Sequence, residues 1–136
     1  MSGQPATRLY ITAPLAPGAW VELSAGQAHR LRAVLRLGIG STVAAFNADD
    51  GEWLCRIADF DNRQARLTVE RRLRTAQPEP DLWLLFAPVK RARLDWLVEK
   101  TTELGVSALM PVWTVRTQAE RLNLERLCAH AVSAAE

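Results

Sequence analysis

Asp81-Leu-Trp-Leu-Leu-Phe-Ala-Pro88 is followed directly by Val89-Lys-Arg-Ala-Arg-Leu-Asp-Trp-Leu-Val-Glu-Lys-Thr-Thr-Glu-Leu104, then by Gly105 and Val106-Ser-Ala-Leu-Met-Pro111. The first segment is short and almost continuously apolar, the pattern of a strand covered on both faces. The second carries Leu94, Leu97, Val98, Thr101 and Leu104 on one helical face. Gly105 stands where a helix C-cap belongs, and Val106–Met110 reads as another buried strand closed by Pro111. Parallel strands need a crossover connection, and a helix of this length supplies it. The segment is a β-α-β unit, the opening of a parallel α/β sheet.

Working back from it, Thr75-Ala-Gln-Pro-Glu-Pro80 is polar and proline-rich, so residues 77–80 read as a linker between parts 1–76 and 81–136. In the first part Arg8–Thr12, Trp20–Leu23, Thr42–Phe46, Glu52–Ile57 and Gln64–Glu70 are short strands. The last alternates with period two, placing Ala65, Leu67 and Val69 inward and Arg66, Thr68 and Glu70 outward. Asp49-Asp-Gly51 is the turn of a hairpin, and the chain turns again at Asp61-Asn62. Ser24-Ala-Gly-Gln27 is a capping box that starts a helix running through His29 to Arg36 and ending near Gly38. Several short antiparallel strands with one helix suggest a small barrel.

The chain of 136 residues has 49% hydrophobic and 24% charged residues, the balance of a globular protein. No apolar run approaches the ~20 residues of a membrane helix, and the N-terminus lacks the apolar core of a secretory signal. A cytoplasmic location is the expectation. Net charge is +2, and fifteen of the seventeen basic residues are arginine. Ten basic and seven acidic residues lie within the first 76 positions, so the cationic excess sits there. Cys55 and Cys128 are spaced for neither a disulfide framework nor a zinc site and read as two buried thiols. His29 and His130 have no metal-ligand spacing. The five tryptophans read mostly as core, with Trp96 off the apolar face of its helix.

At about 100° per residue, His29, Arg32 and Arg36 share one stripe of the first helix, while Leu31, Val34 and Leu35 point toward the barrel. A rigid cationic stripe suits phosphate; the alternative is a solvated face. The stripe has no interleaved aromatic for base stacking. Lys90, Arg91 and Arg93 sit beyond a strand's carboxyl end, where ligands bind in open α/β sheets, and they oppose the helix dipole. An anionic partner accounts for that placement, as does an Arg91–Asp95 pair along the helix. Glu99, Lys100 and Glu103 form a solvated face. There is no Gly-x-Gly-x-x-Gly loop, no Gly-x-Ser-x-Gly elbow, no Cys/His nucleophile pair and no metal-ligand cluster. These residues support contact with nucleic acid and name no reaction.

Arg8-Leu-Tyr10, His29-x-x-x-x-Val34-Leu-Arg36, Asp50-Gly51, Lys90, Lys100-Thr-Thr-Glu-Leu-Gly-Val106, Pro111, Arg116 and Ala134-Ala-Glu136 occur in order along nearly the whole chain. In this ordered set the chain resembles the RsmE family, the bacterial 16S ribosomal RNA uracil-N3 methyltransferases. Thr114-Val-Arg-Thr117 departs from the family's more frequent Ser-Glu-Arg-Ser, leaving no acidic residue beside Arg116. The resemblance implies an α+β then α/β fold: a small PUA-like β-barrel with one helix that grips RNA, followed by the first β-α-β-α portion of a SPOUT (α/β knot) domain. It implies transfer of a methyl group from S-adenosyl-L-methionine to N3 of a uracil in 16S rRNA of the small ribosomal subunit, by a homodimer. Arg8, His29, Arg32 and Arg36 would contact RNA, with Lys90 and Arg116 facing the substrate cleft. The resemblance names no catalytic base.

The family's cofactor loops and knot belong to a C-terminal third that these 136 residues do not include. The last helix, with Leu124, Leu127, Cys128 and Ala131 on one face, reaches Glu136 without cap or breaker, the expectation for a cut chain. The cofactor site is therefore expected outside this sequence. A non-enzymatic RNA-binding module and an unrelated α/β domain with ordinary surface arginines are the competing readings.

Overall fold

Asn47 organises the turn around which the first half of the protein is built. The computed structural model of the chain describes residues 3–61, 63–118 and 121–136. The Asn47 side-chain carbonyl accepts hydrogen bonds from the amides of Asp49 (3.0 Å) and Asp50 (2.6 Å), so the turn is held by its own first residue. Gly51 leaves it at φ 84°, in the left-handed region that glycine enters without strain. The turn joins β3 (Thr42–Asn47) to β4 (Gly51–Phe60), with Asn47 paired to Gly51.

With β1 (Arg8–Tyr10), β2 (Trp20–Leu23) and β5 (Ala65–Arg74) these strands form one sheet in the order β1-β3-β4-β5-β2. β1 lies parallel to β3, and the other pairings are antiparallel. Register shifts between β4 and β5 at Glu52/Trp53, Leu54/Cys55 and Ile57/Asp59 bend the long hairpin. The sheet curls into a half-barrel. Among the described residues β1 and β2 do not pair, so the barrel expected from the strand pattern is not closed. Asn62, in the second expected turn, lies outside the described residues.

Leu9, Val21, Val43, Cys55, Ile57, Leu67 and Val69 are buried in a single core, closed by Ala28 and Leu31. Each such aliphatic side chain contributes roughly 1.5–3 kcal/mol on removal from water. The period-two reading of β5 holds: Ala65, Leu67 and Val69 are buried while Arg66 and Glu70 are exposed.

The helix departs from its expected form. The capping box is present, Ser24 accepting from the Gln27 amide and the Gln27 side chain accepting from the Ser24 amide. However, α1 covers only Ala25–His29, and Arg30–Val34 form one π-helical turn. The Leu35 amide bonds back to the Arg30 carbonyl and the Leu37 amide to the Leu31 carbonyl, each at 2.9 Å. Arg36 follows at φ 53°, a conformation costing a non-glycine residue roughly 1–2 kcal/mol. The wider turn spoils the 100° spacing. Leu31 is fully buried as expected, but Val34 and Leu35 are exposed rather than packed on the sheet.

Glu52 is the one charged residue buried in this half among those described, at 7% exposure. Its Oε1 lies 3.2 Å from Arg8 Nε and its Oε2 3.1 Å from Arg74 Nε, tying β1 and the end of β5 to β4. Asp50 Oδ2 accepts from the Leu15 amide at 2.9 Å and the Asn47 side-chain amide at 3.0 Å, anchoring the proline-containing loop before β2. These bonds to the charged form hold the Asp50 carboxyl below its ordinary value of 3.8.

Contacts divide the chain into two compact units, Met1–Gln77 and Pro78–Glu136. In the second, β6 (Trp83–Phe86) and β7 (Ala108–Pro111) pair in parallel through α2 (Arg91–Glu103), as the strand-helix-strand pattern requires. Gly105 turns the chain after α2 at φ 86°. The C-terminal helix α3 (Leu124–Ala135) starts with the Asn123 side chain accepting from the Arg126 amide. Leu94, Val98 and Leu127 form the core, with Phe86, Leu97, Leu109 and Ala131 against it.

Expectations for this unit fail because two helices cover one face of a two-stranded sheet. The strands are not buried on both sides, since Trp83, Leu85 and Met110 are exposed. Leu104, past the last full turn of α2, and Leu124 and Cys128 of α3 point to solvent. Among the five tryptophans only Trp53 is buried, its indole N–H donating to the Asp50 carbonyl at 2.9 Å. Lys100 lies 3.2 Å from Glu99 and 3.1 Å from Glu103 on the expected polar face of α2.

A Cβ at position 51 would stand 2.2 Å from the Arg74 carbonyl oxygen and 2.7 Å from the Ala76 nitrogen. Gly51→Ala is therefore expected to cost the first unit at least ~2 kcal/mol, from left-handed strain plus a backbone clash, read as a lower urea midpoint. Asp50 gives a pH signature. Its folded value is depressed, so its stabilisation is complete above the ordinary carboxylate range and disappears as pH falls through the depressed value. Asp50→Asn should flatten that acid limb in urea titrations taken above and below pH 3.8.

Candidate nucleic-acid interface

The expected cationic stripe is only partly assembled. His29 ends α1, Arg32 lies in the π-turn, and both are exposed. They line one groove of about 570 Å³ together with Phe60, Asp61 and Arg63 from the end of β4 and the segment beyond it. Arg36 is exposed but does not line this groove, because the left-handed step carries it off the helix. Arg32, Arg36 and Arg63 have no ion-pair partner among the described residues.

Phe60 and Arg63 were missed by sequence reasoning. The helix stripe lacks an aromatic, but the fold brings one from another strand: Phe60, half-buried against the core, at the edge of the cationic groove. Only the pairing of β4 with β5, which puts Phe60 opposite Ala65, reveals this, and no local pattern encodes it. The groove thus combines cations with a ring, the two ingredients of single-strand nucleic-acid binding.

Arg8 is differently placed. Its Nε donates to Glu52, and its guanidinium sits 4.5 Å from the centre of the Phe46 ring. These contacts give it a structural role in holding β1, and it does not line the groove.

In the second unit Lys90 lines a separate cavity of about 330 Å³ with Arg91, Leu94, Arg121 and Arg126. The Arg91–Asp95 pair allowed by helical spacing is not made. Asp95 instead takes Arg126 of α3, whose Nη1 reaches Oδ2 at 2.6 Å, with His130 Nε2 3.7 Å away. The salt bridge fixes Arg126 while Leu94 and Leu127 pack beneath. Arg116 is exposed in a turn that does not line the cavity. Thr114 and Thr117 hold that turn, the Thr117 hydroxyl accepting from the Thr114 amide at 2.9 Å, so two neutral hydroxyls brace Arg116 without a carboxylate. No group of three or more metal-ligating side chains exists among the described residues, and no helix of theirs is long and apolar enough to cross a membrane.

Comparison with known proteins gives these two units a common context. Residues 23–70 match the family model for the RNA methyltransferase PUA domain, and residues 77–136 match that for the RNA methyltransferase domain. In this order, the two matches are those of the class of RNA methyltransferases that carry a PUA domain. Within that class the chain is similar to ribosomal RNA small subunit methyltransferase E proteins. It is 29% identical over 130 residues to the Rickettsia conorii member, covering 95% of this chain and 53% of the relative. It is 30% identical over 120 residues to that of Synechocystis, covering 87% and 39%. The chain spans about half the length, or less, of the curated relatives it matches. The crystal structure of the Neisseria gonorrhoeae methyltransferase E bound to S-adenosyl methionine superposes with TM-score 0.83 at 24% identity, covering 95% of this chain and 55% of that one. A putative methyltransferase from Legionella pneumophila with the same bound cofactor also gives 0.83, at 23% identity, with 98% and 57% covered. At these identities the superpositions establish the fold.

The two thiols have opposite environments, correcting the expectation that both are buried. Cys55 is buried and Cys128 exposed. Burial pushes the Cys55 thiol up to about 12, keeping it protonated and unreactive. Titration with a thiol reagent near neutral pH should label one cysteine quickly, Cys128, and Cys55 only on unfolding; rapid modification of both in the native chain would contradict this packing.

Proposed function

We propose that this chain supplies the RNA-gripping unit and the opening of the catalytic unit of an S-adenosylmethionine-dependent enzyme that methylates N3 of a uracil in 16S rRNA. On this reading the first unit is PUA-like, and the second begins a SPOUT (α/β knot) domain. The enzyme works on the small ribosomal subunit in the cytoplasm as a homodimer. The exposed Trp83, Leu85 and Trp96 support assembly with further protein surface. The observation that carries the reading is the joining, in one chain, of a cationic, aromatic-edged groove with a β-α-β-α unit matched to the RNA methyltransferase domain.

The cavity of the second unit does not fit the cofactor. S-adenosylmethionine supplies an electrophilic methyl on a positively charged sulfonium, whereas every charged residue lining the cavity of the second unit is a cation. That lining repels the sulfonium and attracts phosphate. No step through the cofactor is therefore assigned to these residues. Their part is to bind and orient: His29, Arg32 and Arg36 meet RNA on the first unit, Lys90 and Arg116 on the second, and Arg8 keeps β1 in place through Glu52. Fixing the RNA in this way is the positional contribution that a methyl transfer requires.

Disruption of the gene tests the reaction. Mass spectrometry of nuclease-digested 16S rRNA from the disrupted strain should show loss of one 3-methyluridine, restored by the intact gene. An unchanged modification pattern, with RNA binding retained by the chain, would leave an RNA-binding module without the enzymatic role.

A further inference from the structure

The cavity of the second unit has a charge distribution that the fold does not explain. Lys90, Arg91, Arg121 and Arg126 converge on it, and no acidic residue lines it. Asp95 offsets Arg126 alone. Lys90, Arg91 and Arg121 are exposed, with no ion-pair partner among the described residues. Like charges held around one cavity repel each other unless a counter-charge enters. The start of α2 strengthens the field: Lys90, its N-cap residue, makes no side-chain capping bond, and its first turn has no acidic residue. α3, by contrast, begins with the Asn123 side chain already accepting from the Arg126 amide at 3.0 Å. Packing does not force these cations together, because Leu94 and Leu127 make the α2–α3 contact below them.

We propose that this cavity is a phosphate-diester site, a second RNA grip in which Lys90, Arg91 and Arg121 bind a backbone phosphate and Arg126, fixed by Asp95, sets its position. The proposal deepens the RNA-methyltransferase reading and rests on it. Arginine forks and a lysine point charge around an open cavity suit the paired oxygens of a phosphate in a continuing chain. Leu94 gives the cavity an apolar floor, so the bound phosphate is partly shielded from water.

The test is RNA binding by the 136-residue chain, measured by fluorescence anisotropy with a single-stranded 16S rRNA fragment across a salt series. Lys90→Ala with Arg121→Ala should weaken binding roughly tenfold at low salt and reduce the slope of log affinity against log salt by about 0.7, one phosphate contact on a single strand. Arg32→Ala, in the first unit, should weaken binding independently. Unchanged affinity and slope in the double variant, while Arg32→Ala still weakens binding, would overturn the cavity proposal and leave the RNA reading standing. A native chain that binds no RNA would bring down both. A parallel arm uses inorganic phosphate followed by amide NMR: shifts near Arg91 and Arg121 with phosphate but none with RNA would make this a free-phosphate site and overturn the diester assignment. The substituted side chains are exposed, so an unchanged melting curve is expected; should it change, Arg91→Gln, read on the same salt slope, decides.

Discussion

The carboxylate of Glu52 is the interaction on which the first unit turns. It is almost wholly buried at the start of β4, between a guanidinium from β1 and another from the end of β5. Buried charge is tolerated only when paired, so three strands distant in sequence must be correctly placed together. β1 is only three residues long and joins the sheet in parallel, a weak attachment by itself. The ion pair from Arg8, and the Phe46 ring beneath that guanidinium, supply what the short ladder lacks.

Much of this architecture is legible in the residues. The capping box at Ser24, the Asp49–Gly51 turn, the alternation of β5 and the strand-helix-strand run to Pro111 all rest on local chemistry, which acts the same way in any surroundings. What escapes is non-local. The π-turn at Arg30–Val34 has no sequence signature here, and it redirects Val34, Leu35 and Arg36 together. Exposure of Trp83 and Leu85 depends on which layers cover β6, and an apolar run cannot announce its own neighbours.

The candidate interface follows the same division. His29 and Arg32 were visible as a helical cluster, whereas Phe60 and Arg63 join them only through strand pairing. Arg8, conspicuous by its place in the motif, proves to be engaged internally. Lys90 marked the second cavity, but Arg121 and Arg126 enter it because α3 folds back on α2, a contact set by Leu94, Val98 and Leu127. The family-model matches then add what side-chain geometry alone could not, a likeness to RNA methyltransferase domains in both units.

The partition of strands also bears on biosynthesis. All pairing in the larger sheet is confined to residues 8–74, and β6 and β7 pair only with each other. As the nascent polypeptide leaves the ribosome, the amino-terminal unit can therefore acquire its full set of partners while the later one is still being translated. Vectorial synthesis thus lets β1 and β2 find their partners before β6 and β7 are made, an advantage for a sheet in which both are edge strands.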